Sequence, residues 1–310
     1  GYGNEGIYAE GPIYWGYGTA YSCIMSDCLQ TSLGNDWGIS QHSGFVNSFR
    51  FIMQITAPSG KVVNFADSGE NPAQLPNHFF MARINGEKSY LDYGKTLLSS
   101  YLKNSKVKSW RLTPLALPWY CSTIISNKFQ LENNWVGRDK VEVAVLRNMA
   151  FGNTTFISLK GGDIRVNHGH MDIGSFILES KGVRWSSDPG PDYSAYRKSK
   201  FFKTDQNSER WKFSKLNNYG HSTLTIGDKL QNVTGGNKIS NIIRDDNGSS
   251  MVLDMSQAYK NQVEKLTRKI TLAKDNTITI EDRFSGLSSG PELRWNMITK
   301  AKIEIKNKKR

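Results

Sequence analysis

The densest group of potentially reactive side chains lies in the run "NHGHMDIGSF", residues 167–176. If this run is an extended strand, residues two apart share a face, so His168, His170 and Asp172 point the same way. Three polar groups on an otherwise apolar face are costly to bury unless they are hydrogen-bonded or bound to a metal. The spacing therefore indicates either a satisfied polar core or a metal site, because His-x-His is a common arrangement of zinc ligands.

Two later runs carry further metal-binding side chain types. Asp188 lies before a Pro-Gly turn in "WSSDPG", and His221 opens the strand-like run "HSTLTI". Together with His170 they offer two imidazoles and a carboxylate, which would give zinc three protein ligands and one open position. Their separations are too long for a local motif, so the spacing alone does not decide whether the three residues meet.

A second cluster, near the start of the chain, is aromatic. The run "NEGIYAEGPIYWGYGTAY" places Tyr14, Trp15 and Tyr17 among glycines. Flat aromatic side chains on Gly-rich turns suit the apolar faces of sugar rings, so we expect Tyr17 and Trp15 to bind substrate. Ordinary packing of helix ends is the alternative interpretation.

The first part of the chain, which must position the aromatic cluster, has helical periodicity. Apolar residues recur at intervals of three and four over residues 21–33, 45–53 and 91–102, which is the pattern of one buried helix face. Gly, Pro and Asn separate these runs and end helices. The pattern predicts an array of antiparallel helices.

The period changes to two near residue 140, where valines alternate with other residues in "VEVAV". Short strand-like runs follow, and residues 269–284 read as a hairpin that turns at Asp275-Asn276. Many short strands without long helices between them predict an antiparallel β-sandwich. The fold class is therefore α+β, with a helical domain over residues 1–132 and a β domain over residues 133–310.

The composition restricts the partners. The chain has 40 Lys and Arg against 28 Asp and Glu, a net charge of +12, which favours an anionic partner. No Lys/Arg block interleaved with aromatics supports nucleic acid, and the terminal "KNKKR" is typical of a solvated end. No apolar run approaches the roughly 18 residues of a membrane span. The chain opens at Gly1 without a signal peptide, so we expect a processed or truncated chain.

Three runs resemble those of one enzyme family. "NHGHMDIGSFILESKGVRWSSDPG" resembles the central signature of the heparinase II/III-like polysaccharide lyases, and "GHSTLTIGDKLQ" resembles their later His-containing strand. "EGPIYWGYG" is similar to the segment with their catalytic tyrosine, in a form closest to heparinase II, and "VVNFADSG" is also typical. The resemblance implies the C-terminal part of an (α/α) toroid followed by an antiparallel β-sandwich, with the substrate cleft between them.

The resemblance also implies roles at matching positions. Tyr14 matches the catalytic tyrosine, and His168 matches the histidine that faces it across the cleft. His170, Asp188 and His221 match the ligands of one zinc ion, which we expect to be structural. The family's Asn/His pair, which binds the uronate carboxylate, has no counterpart upstream of Tyr14 here, and the sandwich ends early after Ile305. We therefore expect a lyase truncated at both ends.

The expected function is cleavage of an acidic, uronate-containing polysaccharide by β-elimination, with glycosaminoglycans such as heparin or heparan sulfate as the leading substrates. Tyr14 acts as base and acid, and Arg210, near the site strands, is a candidate substrate-binding cation. A non-catalytic carbohydrate-binding protein of this fold and a zinc-dependent hydrolase are the alternatives. The resemblance further implies a bacterial protein that is periplasmic or secreted, and leaves a homodimer open.

Overall fold

The computed structural model describes residues 1–73, 76–103, 111–123, 126, 129–150, 152–197, 201–287 and 290–304. Within them the first part of the chain is helical, and its α-helices are α1 (Pro12–Leu33), α2 (Ser43–Gln54), α3 (Asn77–Asn85), α4 (Lys88–Lys103) and α5 (Ala116–Trp119). The three predicted helix faces fall on α1, α2 and α4. The sequence pattern missed α3. Among the described residues, no helix is both long and apolar enough to cross a bilayer.

The start of α1 is fixed by local chemistry that the periodicity did not reveal. Pro12 occupies the first turn, where its missing N–H is not needed. Gly11 precedes it at φ +90°, and a Cβ there would lie 2.5 Å from the carbonyl oxygen of Phe65. The Ile13 N–H donates to the Ser68 hydroxyl at 3.0 Å. These contacts bring the first turn of α1 against residues 62–69.

The second part of the chain is built from antiparallel strands. They are β1 (Asn134–Arg138), β2 (Val141–Ala150), β3 (Asn153–Gly162), β4 (Phe176–Ser180), β5 (Val183–Ser186), β6 (Leu224–Ile226), β7 (Ile243–Asp245), β8 (Gly248–Asp254), β9 (Lys265–Ala273), β10 (Ile278–Ser285) and β11 (Leu293–Trp295). They form a sheet of order β1-β2-β3-β4-β5, a sheet of order β10-β9-β8-β7, and the pair β11-β6. The predicted hairpin turn at Asp275-Asn276 joins β9 to β10.

Strand β2 connects the helices to the second sheet because both of its faces are buried. Val141, Val143 and Val145 lie in the hydrophobic cluster that also contains the helix side chains. Ala144 and Leu146 lie in the cluster shared with β8 and β9. The alternation of a strand thus places the five-stranded sheet between the helices and the four-stranded sheet. The division at residues 132 and 133 stays a prediction.

Two sequence interpretations are wrong at the level of secondary structure. Residues 163–175 are not an extended strand but an irregular loop between β3 and β4, and His168 has a φ of +58°. His168, His170 and Asp172 therefore do not share a strand face. Tyr14, Trp15 and Tyr17 lie on α1 and not on Gly-rich turns. Residue 305 and the basic tail beyond it lie outside the described residues.

Candidate active site and metal centre

Asp67 lies at the centre of the candidate site, although the sequence analysis did not select it. Its side chain is fully buried, and its two oxygens contact different histidines. Oδ2 lies 2.8 Å from Nδ1 of His168, and Oδ1 lies 3.0 Å from Nε2 of His170. Burial acts to raise the pKa of Asp67, but these two hydrogen bonds outweigh it and hold the pKa well below its usual range.

Tyr14 and His168, the stacked pair, contact each other directly. Their ring centroids are 4.0 Å apart and their planes differ by 23°. Tyr14 comes from the first turns of α1, and His168 from the loop between β3 and β4. The left-handed φ of His168 is uncommon for a residue other than glycine, and such strained positions often occur at functional sites.

The stacking corrects the expectation that Tyr14 and His168 face each other across a cleft. A centroid separation of 4.0 Å leaves no space for a sugar ring between them. A cleft of about 750 Å³ instead opens beside the pair, lined by Glu10 and Asn167 among others. Glu10 accepts a hydrogen bond from Asn167 Nδ2 at 3.2 Å. Neither Tyr14 nor His168 lines this cleft, and Asn167, which does, is the chain neighbour of His168.

The surroundings of Tyr14 favour its protonated form. Burial raises the pKa of Tyr14, the neighbouring Tyr196 hydroxyl lowers it, and the negative charge of Asp67 raises it again. The pKa of Tyr196 is raised much further, mainly by burial. Both phenols are therefore neutral at physiological pH, and Tyr14 can donate a proton before it accepts one.

Arg210 is close to this site but is not exposed to solvent. Its side chain is 2% exposed, and its guanidinium lies over the rings of Phe201 and Trp211, each at 5.1 Å. Nη2 is 3.8 Å from Oδ2 of Asp67, and both Nε and Nη2 are buried without a hydrogen-bond partner. Arg210 therefore places a positive charge behind Asp67, and the predicted contact with substrate would require these packed rings to move.

The three predicted metal ligands meet in space. Each of His170, Asp188 and His221 offers one ligand atom, and these atoms lie within 4.8 Å of one another. They come from three separate segments, which are the loop before β4, the turn after β5 and the short segment before β6. We call these three residues the His-Asp-His cluster. Among the described residues, this is the group whose geometry suits a metal ion.

The donor atoms of the cluster fit a divalent metal such as zinc. Nδ1 of His170 and Nε2 of His221 are buried and have no hydrogen-bond partner. An unpaired buried ring nitrogen is costly unless a cation or a proton occupies it. Nε2 of His170, the nitrogen opposite Nδ1, contacts the Asp67 carboxylate, which is outside the cluster, whereas Nδ1 of His221 contacts Asp188 within the cluster at 2.9 Å. For His170, a carboxylate on the nitrogen away from the metal is the usual support of a metal-bound histidine.

Buried charges surround the cluster. Lys160 and Asp172 form an ion pair of 3.0 Å with side chains 7% and 1% exposed. Burial acts to raise the pKa of Asp172, but the charge and hydrogen bond of Lys160 together with the neighbouring histidines outweigh it and lower the pKa. Burial acts to lower the pKa of His221, but the charge and hydrogen bond of Asp188 together with the charge of Asp172 outweigh it and raise the pKa.

The two predicted aromatic contacts with substrate have different outcomes. Trp15 is 2% exposed, donates from Nε1 to the Ser48 hydroxyl at 2.8 Å and packs on Phe49. It is a core residue and has no free face for a sugar, so that prediction is wrong. Tyr17 is 46% exposed and packs its ring against Tyr21 on the same side of α1. Tyr17 therefore keeps a surface that a sugar ring could contact.

A comparison with family models agrees with the second part of this architecture. Residues 138–310 match the model described as heparinase II/III-like, C-terminal. The chain belongs to the heparinase II/III-like family. The matched range includes His168 and all three residues of the His-Asp-His cluster, whereas Tyr14 and Asp67 lie outside it.

Solved structures show the same mixed fold of helices and antiparallel sheets. A heparinase III is 17% identical with a TM-score of 0.63, over 99% of this chain and 42% of that one. The heparan sulfate lyase HepC from Pedobacter heparinus is 16% identical with a TM-score of 0.58, over 91% and 40%. This chain thus spans about two fifths of the heparinase III structure. No curated protein matches it.

Proposed function

We propose that the protein is a polysaccharide lyase that cleaves an acidic, uronate-containing polysaccharide by β-elimination, with heparin or heparan sulfate as the first substrates to test. The observation that supports it is the stacked pair of Tyr14 and His168, held by Asp67 in a member of the heparinase II/III-like family. The net charge of +12 suits an anionic polymer and would speed its encounter with the protein.

Elimination begins with loss of the proton on C5 of the uronate. This carbon acid is weak beside a charged carboxylate, so a cation or hydrogen-bond donors must first neutralise that carboxylate. A base then removes the proton, and an acid protonates the leaving oxygen on C4. The required machinery is therefore one proton acceptor and one proton donor that reach the same sugar ring.

His168 and Tyr14 fit these two roles. Ionised Asp67 is an acceptor, so the facing Nδ1 of His168 carries the proton and Nε2 has a lone pair for the C5 proton. Tyr14 is protonated because burial raises its pKa, so it can donate to the leaving oxygen. For substrates of the other C5 configuration, Tyr14 would act as the base, and this role requires a nearby cation that favours its phenolate form.

In this proposal, zinc is held by His170, Asp188 and His221 and cross-links the three loops that carry them. It supplies a fixed cation that orders the wall of the cleft, and the proton transfers belong to the stacked pair. Residues 1–132 would form part of an (α/α) toroid and residues 133–310 a β-sandwich. The protein would act in the periplasm or outside the cell.

The decisive experiment is a panel of heparin, heparan sulfate, other glycosaminoglycans and alginate, followed by ultraviolet absorbance. Elimination creates an unsaturated uronate that absorbs, whereas hydrolysis by a zinc enzyme creates none. Binding of a polymer without new absorbance or new reducing ends would favour a non-catalytic carbohydrate-binding protein. New reducing ends without absorbance would favour the hydrolase.

A further inference from the structure

Asp67 contacts both functional groups of the site at once. Its Oδ2 holds His168 of the stacked pair, and its Oδ1 holds His170 of the His-Asp-His cluster. We propose that Asp67 is a positioning residue that sets the tautomers of His168 and His170 together, and so couples metal binding to the stacked pair. The part that concerns His168 as a base rests on the proposed function, whereas the part that concerns His170 does not.

The tautomers follow from the chemistry of a buried carboxylate. Ionised Asp67 accepts hydrogen bonds and donates none, so each imidazole nitrogen that faces it must carry a proton. His170 is then protonated on Nε2, which leaves a lone pair on the buried and unpartnered Nδ1. His168 is protonated on Nδ1, which leaves a lone pair on Nε2. One carboxylate thereby prepares a metal ligand and a proton acceptor.

The coupling follows from how tightly Asp67 is held. Ala66 before it has a φ of +55°, and Ser68 after it accepts from the first turn of α1. Because each oxygen of Asp67 serves a different histidine, the carboxylate cannot turn towards one without releasing the other. A metal that fixes His170 therefore fixes Asp67 and, through it, His168.

The substitution Asp67→Asn tests this directly because an amide offers one acceptor and one donor. If its NH₂ faces His168, that Nδ1 must accept, and the proton moves to Nε2. If its NH₂ faces His170, that Nε2 must accept, the proton moves to Nδ1, and the metal ligand is lost. The variant must therefore lose one of the two native tautomers, whichever way its amide turns.

The measurements need no lyase assay. Zinc affinity is measured by competition with a chelating indicator, and histidine tautomers are read from ¹⁵N chemical shifts at one fixed pH. We expect Asp67→Asn either to bind zinc roughly 10- to 100-fold more weakly or to move the His168 proton to Nε2. The matched control is Asp92→Asn, which changes an exposed carboxylate on α4 that pairs with Lys88.

Wild-type zinc affinity together with a wild-type His168 tautomer in folded Asp67→Asn would overturn the proposal. If the variant does not fold, zinc is titrated into the unmodified protein while the His168 shifts are followed. The zinc-bound protein should show His168 in the Nδ1–H tautomer and His170 in the Nε2–H tautomer, and the opposite tautomer of either histidine at saturation would overturn the proposal. If no polysaccharide of the substrate panel gives an unsaturated product, the lyase proposal is rejected, but the zinc-affinity and tautomer measurements still test the role of Asp67.

Discussion

If the His-Asp-His cluster binds zinc as proposed, the stability of the protein should depend on zinc. Its three ligands come from segments that are far apart in the chain, so a metal bound to all three cross-links them only in the folded state. Removal of His170 in His170→Ala takes away one ligand of three and leaves the cross-link incomplete. We therefore expect the variant to lose most of the stabilisation by zinc.

The size of the effect follows from mass action. Zinc at 100 times its dissociation constant stabilises the folded protein by about 2.7 kcal/mol. A change of 1 kcal/mol shifts the melting temperature of a 150–250-residue unit by about 2–4 °C. The unmodified protein should therefore melt roughly 5–10 °C higher with zinc than after chelation. His170→Ala should show less than about a quarter of that shift at the same zinc concentration.

The assay is a thermal melt of each protein after chelation and again after zinc is restored. The matched control is His42→Ala, because His42 is exposed, lies outside the cluster and caps α2 without a side-chain hydrogen bond. That variant should keep the full zinc shift. An unmodified protein with no zinc shift, or a full shift in His170→Ala, would show that the cluster does not bind the metal.

Three further predictions follow from the structure. Tyr14→Phe keeps the ring stacked on His168 but removes the hydroxyl proton, so the rate of elimination should fall at least about 100-fold. Polymer binding, measured by calorimetry, should stay within twofold, and turnover comparable to that of the unmodified protein would reject Tyr14 as the proton donor. Lys160→Met leaves Asp172 buried without its partner and should cost about 3–5 kcal/mol in urea unfolding; a cost under about 1 kcal/mol would contradict this pairing. Hydrogen bonds from Ser26 and Ser40 lower the pKa of Asp36 from 3.8 to about 2. The ionised Asp36 carboxylate therefore contributes to stability above about pH 4, and this contribution is lost as the pH falls towards 2. Asp36→Asn should flatten that part of the acid-unfolding profile.

The sequence predicts the strands of this protein better than its loops. The alternation of valines identified β2 because successive side chains of a strand point to opposite faces, and the two faces of β2 lie in two different hydrophobic clusters. The same reasoning failed for residues 163–175, where three polar side chains suggested a strand face. There the positive φ of His168 and the packing of the loop place the imidazoles, and neither leaves a period in the sequence.

The candidate site was predictable to the extent that its chemistry is unusual. Histidines and an aspartate beside a Pro-Gly turn are few enough to select by type, and His170, Asp188 and His221 do meet. Asp67 was missed because a single carboxylate carries no spacing signal, and its partners lie 101 and 103 positions away. Its run "VVNFADSG" was noted only as typical of the family. Trp15 was misassigned because residue type alone does not separate it from Tyr17, which is exposed on α1, whereas Trp15 lies on the buried face of that helix.

The charges of the buried site favour a cation at the proposed metal centre. Asp67, Asp172 and Asp188 contribute three negative charges, whereas Lys160 and Arg210 contribute two positive ones. If all the imidazoles are neutral, the group carries one uncompensated negative charge, which is costly to keep away from water. A bound cation would compensate it, and so would a proton on His221, whose pKa is raised. The free ring nitrogens of the His-Asp-His cluster lie at the side of this group where a cation would balance it. Because Asp67 contacts both His168 and His170, a cation that balances the buried carboxylates would also help to keep the stacked pair in place.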